Sequence, residues 1–149
     1  MIHPYLLKEY KHRWYLIGYV EEKESLSTYA LDRMVKVELK EDDFIIQSSF
    51  HPESFFKYSF GITHNDEKSY KVLLKFPKHQ KGYLLTQPLH GSQKILKEEE
   101  ENFVLELEVY ITYELIERIL GYGENIEVLS PPELKEKIKE RLKLALDNY

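Results

Sequence analysis

Arg13-Trp14-Tyr15-Leu16-Ile17-Gly18-Tyr19-Val20 is the stretch on which the reading of this chain turns. It holds the single tryptophan, two of the twelve tyrosines and an arginine, with no breaker before the glycine. That aromatic and aliphatic content suits a pleated, mostly buried strand better than a helix. Side chains alternate along a strand, so Arg13, Tyr15, Ile17 and Tyr19 share one face and Trp14, Leu16, Gly18 and Val20 the other. One face offers a guanidinium and two phenols. The other is apolar and is the expected core side, with Trp14 as its anchor. A strand with a core side and a polar-aromatic side is what a binding groove on a small β-barrel requires.

Outward from this strand, residues 5–7 are a short apolar run behind a proline, and 9–12 a polar turn. Residues 21–25 form a charged connection of hairpin length, so a following strand over 28–33 is expected to be antiparallel and to place Tyr29, Leu31 and Arg33 on one face. Val35, Val37 and Leu39 alternate with Lys36, Glu38 and Lys40, a half-buried strand pattern. Asp42-Asp43 then turns into a strand at Phe44-Ile45-Ile46. Several short strands on short turns suggest a small barrel of the SH3 or Sm kind. Residues 48–69 are rich in loop formers, with a short helix expected over 52–58 carrying Phe55, Phe56 and Tyr58, and a domain boundary near residue 66.

Regular structure resumes at Tyr70. Val72, Leu74 and Phe76 alternate with Lys71 and Lys75. Residues 78–86 are ambiguous because of Gly82. Residues 92–96 fit a strand, and the four glutamates at 98–101 read as a solvated hairpin turn. Phe103, Leu105, Leu107, Val109 and Ile111 give the clearest alternation in the chain. Thr112 is placed to cap a helix with Leu115, Ile116, Ile119 and Leu120 on its apolar stripe, ended by Gly121 or Gly123. A short strand over 126–129 follows, then Ser130-Pro131-Pro132-Glu133 as a capping box, and a helix with Leu134, Ile138, Leu142 and Ala145 on one face. The second half is thus β, α, β, β, α, β, α, an order that resembles a ferredoxin-like sandwich with a closing helix. The fold class is α+β, a small Sm/SH3-like barrel at 1–66 followed by a sandwich at 70–149.

Composition narrows the function. The 149-residue chain has no cysteine, so disulfides, thiolate metal sites and cysteine nucleophiles are excluded. No apolar run reaches the roughly 18 residues of a membrane span. The start is not a secretion signal, and a cytoplasmic location is the default expectation. The net charge of −5 divides into −3 for residues 1–69 and −2 for 70–149, so neither half is a bulk nucleic-acid binder and any phosphate site must be a local basic cluster. The six histidines show no metal spacing, and neither metal nor cofactor is expected. No Gly-x-Ser-x-Gly or phosphate-cradling glycine loop is present, and Gly121-Tyr122-Gly123 follows a helix rather than a strand, so an enzyme is not expected.

Three spaced blocks now carry a resemblance. Pro4-Tyr5-Leu6-Leu7, the stretch Arg13–Tyr19 and Leu31-Asp32-Arg33-Met34 together resemble the WYL-domain family, named for the tripeptide at 14–16. The second half is similar to the C-terminal extension that often follows it, through Ile119-Leu120-Gly121-Tyr122-Gly123, Val128-Leu129-Ser130-Pro131 and a final helix. The resemblance implies a regulatory module. Members are mostly bacterial transcription regulators, usually homodimers, that read promoter DNA through an N-terminal helix-turn-helix domain. Their Sm-like barrel is thought to sense single-stranded DNA or RNA, or a nucleotide. Carried over residue by residue, the ligand-binding set is His3, Tyr5, Arg13, Tyr15 and Arg33. No DNA-reading domain precedes Met1, and only two residues precede the His-Pro block where members usually have another strand. The chain is expected to be a fragment or stand-alone sensor with an unpaired strand edge, which invites pairing with a second copy.

Two readings follow for the basic and aromatic residues. Arg13 and Arg33 from neighbouring strands would grip one phosphate, with Tyr15 and Tyr19 stacking bases. Alternatively Arg13 pairs with Glu9, and Arg33 with Asp32 or Glu38, as surface ions, and both halves serve as a dimerisation or protein-interaction module with no small ligand.

Overall fold

The computed structural model describes residues 1–64 and 68–149. Asn65, Asp66 and Glu67, and with them the expected boundary near residue 66, lie outside the described residues. The chain divides into two compact units, Met1–Phe56 and Lys57–Tyr149.

The first unit is built on a three-stranded antiparallel sheet in the order β1-β2-β3, with β1 at Ile2–Tyr10, β2 at Arg13–Val20 and β3 at Ser25–Ala30. Lys11 and His12 join β1 to β2, with φ of 48° and 61°. Both sit in the left-handed region that a tight two-residue hairpin loop uses. Pro4 has no N–H to donate, and β1 accommodates it as an edge strand. A register shift between Pro4 and Leu6 leaves Tyr5 as the extra residue of a bulge.

Among the described residues no sheet closes into a barrel. The expected strand over 28–33 ends at Ala30, and residues 31–33 turn into a 3-10 helix closed by Met34 N–H donating to the Leu31 carbonyl (3.2 Å). That turn takes the chain out of the sheet, so Val35, Val37 and Leu39 have no ladder to join. The expected strand at 44–46 is also missing. There the Ile45 backbone is bound by side chains of β1 rather than by a neighbouring backbone.

Trp14 is a second correction. It is 51% exposed rather than core. It pairs across the sheet with Glu9, near the hairpin tip. The buried residues of β2 are instead Ile17, Gly18 and Val20, towards the other end of the strand. A short helix α1, Pro52–Phe55, follows, and the Phe50 ring lies tilted between those of Tyr5 (centroids 4.8 Å apart) and Phe55 (5.4 Å).

The second unit has a four-stranded antiparallel sheet in the order β5-β6-β4-β7, with β4 at Tyr70–Pro77, β5 at Lys94–Glu98, β6 at Asn102–Val109 and β7 at Glu127–Ser130. Helices α2 (Lys81–Thr86), α3 (Tyr113–Leu120) and α4 (Pro132–Leu146) complete it. The alternation seen in the sequence sets the buried face. Val72, Leu74 and Phe76 pair with Leu107, Leu105 and Phe103, and all six are essentially inaccessible. Leu84, Leu115, Ile119, Leu134 and Ile138 close the core from the helices. The glutamates do form the β5–β6 hairpin connection.

Thr112 caps α3, its Oγ1 accepting from Leu115 N–H (3.4 Å). The capping box at Ser130 does not form. The N-cap of α4 is Pro131, whose side chain offers no acceptor. The face expected on α4 is buried only at Leu134 and Ile138, and Leu142 and Ala145 are exposed. Residues 57–64 go with this unit because Tyr110 N–H donates to the Tyr58 carbonyl (2.8 Å) and Thr63 Oγ1 donates to Glu114 Oε1 (2.6 Å).

Candidate ligand hollow in the first unit

Cross-strand register assigns the faces of the first sheet. Ile2 pairs with Val20, Pro4 with Gly18, and Leu16 with Tyr29, so these residues share one face. His3 pairs with Tyr19, Lys8 with Tyr15 and Tyr10 with Arg13, which places them on the opposite face. The first face floors an open hollow of about 900 Å³, lined by Ile2, Pro4, Leu16, Val20 and Tyr29. Its other wall is the irregular segment from Arg33 to Phe44, which contributes Met34, Val37 and Leu39 as apolar groups and Arg33, Lys36 and Lys40 as cations. Glu22, Glu38, Asp42 and Asp43 are also at this wall or rim, so the hollow is mixed in charge rather than uniformly basic. Lys36 is taken up by Glu38 (2.6 Å), and the N-terminal amine by Glu22.

The five residues expected to bind ligand are divided by this geometry. His3 is buried, and both its ring nitrogens are occupied. Nδ1 accepts from Ile45 N–H (3.1 Å), which places the proton of the neutral ring on Nε2, donating to Glu21 Oε1 (3.0 Å). Tyr5 Oη donates to the Ile45 carbonyl (2.7 Å) and accepts from Gln47 N–H (2.8 Å). Together His3 and Tyr5 occupy backbone groups of Ile45 and Gln47, in a segment that has no strand partner. Tyr5→Phe should therefore cost about 1–2 kcal/mol. It should also speed exchange of the Gln47 amide, measured by hydrogen exchange, while amides of β2 stay protected.

Arg13 lies at the start of β2, its Nη1 3.6 Å from Asp32 Oδ2, with both side chains about half exposed. This ties the end of β2 to the 31–33 turn that carries Arg33. Arg33 itself lines the hollow. Tyr15 is partly buried, on the face away from the hollow, beside Lys8. The Lys8 amine sits 3.7 Å from the Phe56 ring centroid, and burial pushes it below the ordinary lysine value. Arg33 lines the hollow, and His3 also borders it although its register position is on the opposite face; Arg13 and Tyr15 do not line it.

Tyr29 is the residue that the sequence reading left out of the site. Lys23 Nζ donates to its Oη (3.4 Å), which sets a cation beside an aromatic ring at the hollow. The signal was present in the alternation of β3, but its relation to Leu16 depends on the pairing register.

In the second unit His90 Nδ1 lies 2.8 Å from Ser92 Oγ, a contact that superficially resembles a nucleophile and its base. Ser92 Oγ, however, accepts from Glu108 N–H (2.8 Å) and so fastens the 90–92 turn to β6. Among the described residues no cluster of three or more histidine, aspartate or glutamate side chains could hold a metal ion. No described helix is long and apolar enough to cross a membrane.

A family model described as the WYL domain matches residues 1–39, and one described as the WCX domain matches residues 68–146, more than half of the chain. No curated protein matches. Among solved structures, proteasome accessory factor B/C (PafBC) of Arthrobacter aurescens is similar at 20% identity with a TM-score of 0.44, over 98% of this chain and 22% of that one. The chain therefore spans about a fifth of the length of that protein. With a WYL match over its first strands and a WCX match over its second sheet and helices, the chain belongs to the WYL-domain regulator family.

Proposed function

We propose that the chain is the ligand-sensing regulatory part of a transcription regulator, binding a single-stranded nucleic acid or a nucleotide in the hollow of the first unit. The observation that carries this is the open hollow of about 900 Å³, in which an apolar floor with Tyr29 faces Arg33 and Lys40. A base stacks on Tyr29, and a phosphate is held by the planar fork of Arg33. Arg13 acts through Asp32 by holding the turn beside Arg33. His3 and Tyr5 keep the 45–47 segment in place. Control of promoter DNA would run through a helix-turn-helix domain carried elsewhere. It requires that the effector bind two arrangements of a homodimer with different affinity.

The finer architecture belongs to this reading. The second unit is taken as a ferredoxin-like sandwich, supported by its βαββαβ order and by the strand order β5-β6-β4-β7. The first is Sm-like only as far as its open three-stranded sheet extends.

The test is an anisotropy titration with a labelled oligothymidylate and with free nucleotides. Arg33→Ala should weaken binding about tenfold or more, since a charge-assisted contact contributes about 1.5–3 kcal/mol. It should also lower the salt slope by about one. Tyr29→Ala should give a comparable loss, and Arg13→Ala a smaller one. Equal binding by wild type and an Arg33→Ala/Tyr29→Ala double variant would reject the hollow as the site. The rival reading, an interaction module without a small ligand, draws on the exposed Val35, Val37 and Leu39. It is favoured if the protein forms a stable dimer indifferent to every oligonucleotide and nucleotide tried.

A further inference from the structure

Residues 35–39 have the sequence of a strand and none of its partners. Val35, Val37 and Leu39 alternate with Lys36 and Glu38, yet the three apolar residues are 101%, 71% and 98% exposed. The segment pairs in neither sheet. A segment of this pattern outside either sheet, once extended, offers its backbone groups and its apolar row as a template for another strand.

We propose that this segment pairs antiparallel with the same segment of a second copy, with Val37 opposite Val37 on the two-fold axis. The charges select that register. It sets Lys36 of each copy against Glu38 of the other, and Val35 against Leu39. At its ends Arg33 meets Glu41 of the other copy. A register centred on Lys36 or on Glu38 would put like charges face to face, which is unfavourable for directly opposed residues. A shift of one residue would set Val37 against Glu38 and mix the two faces. Only the pairing centred on Val37 gives one continuous apolar row and a matched charged row. The two Lys36–Glu38 ion pairs, one within each copy, are then exchanged for two between copies. This deepens the homodimer part of the proposed function and rests on it, since it names the surface through which two copies meet.

The chain has no cysteine, so single thiols report the register directly. Opposed Cα atoms in an antiparallel pair lie about 4.5–5.5 Å apart, within disulfide reach. Under mild oxidation Val37→Cys should cross-link rapidly into a covalent dimer. Glu38→Cys should cross-link much more slowly, because its symmetry mate is diagonal at about 8 Å. Sedimentation gives an independent reading. Lys36→Glu and Glu38→Lys each place like charges opposite one another, and each should raise the dimer dissociation constant about tenfold. Mixing the two variants restores opposite charges at both pairs and should restore association. All three positions are exposed, so folding is not at stake. Equal cross-linking of the two cysteine variants, or single charge variants that associate like wild type, would overturn the register. A chain that stays monomeric at every concentration overturns the dimer as well. Oligonucleotide binding of the Tyr29→Ala variant, followed in parallel, reports the hollow separately, because Tyr29 lies on β3 outside the paired segment.

Discussion

Phe76→Ala is expected to lower the stability of the second unit by about 3–5 kcal/mol, the range for deleting a buried phenyl ring. Phe76 is fully buried. Its ring stacks on Phe103 (centroids 5.8 Å apart, 23° between planes) and meets Tyr122 edge-on at 5.2 Å (79°). It lies towards the end of β4, where Phe103 is its cross-strand partner. Truncation removes transfer energy and leaves a cavity between two aromatic neighbours that a rigid sheet cannot collapse. Urea unfolding followed by far-UV circular dichroism should show the midpoint fall with the slope unchanged. A loss below about 1 kcal/mol would mean that the sheet repacks around the gap, contrary to the geometry described.

Gly18→Ala is expected to disrupt the first unit. A Cβ on Gly18 would lie 2.5 Å from the His3 carbonyl oxygen and 2.9 Å from Ile2 Cγ1. The side chain of Ile2 can turn aside, but the carbonyl belongs to the neighbouring strand. Relief therefore requires β1 to move away from β2. Overpacking of this kind costs about 1–3 kcal/mol. Here it also displaces His3, whose ring holds the Ile45 amide. The unfolding midpoint reported by Trp14 fluorescence should fall, since the single tryptophan lies in the same sheet. Ile2→Ala in the same chain should rescue little, because the closer clash is with backbone. Full rescue would show that the side chain, not the strand spacing, sets the requirement.

Much of the second unit was legible in its sequence. The alternation from Phe103 to Val109, the Thr112 cap and the 3.6-residue stripe on α3 each have a local physical cause that one segment contains by itself. The first unit is less legible because its structure depends on pairings that alternation cannot supply. Val35, Val37 and Leu39 have a strand's pattern, but a strand exists only where a neighbouring backbone accepts its hydrogen bonds. Trp14 looked like core because its neighbours on the strand are apolar. Burial, however, depends on what covers a strand end, and its exposure shows that this position near the hairpin tip is only half covered.

The candidate site shows the same division. The sequence by itself determined the residue types available, namely Arg13 and Arg33 flanking an aromatic strand, His3 and Tyr5 two apart on the strand before it, and the absence of cysteine. It also determined the family, through short blocks at fixed spacing. Only the tertiary structure decided which face of β2 meets the hollow, and it chose the side of Leu16 and Val20 over that of Arg13 and Tyr15. It also brought the His3 and Tyr5 side chains within hydrogen-bonding reach of the Ile45 and Gln47 backbone. The reason is that a side chain's chemistry is fixed by its own atoms, whereas its task is fixed by which unpaired backbone or open space the fold brings within hydrogen-bonding reach.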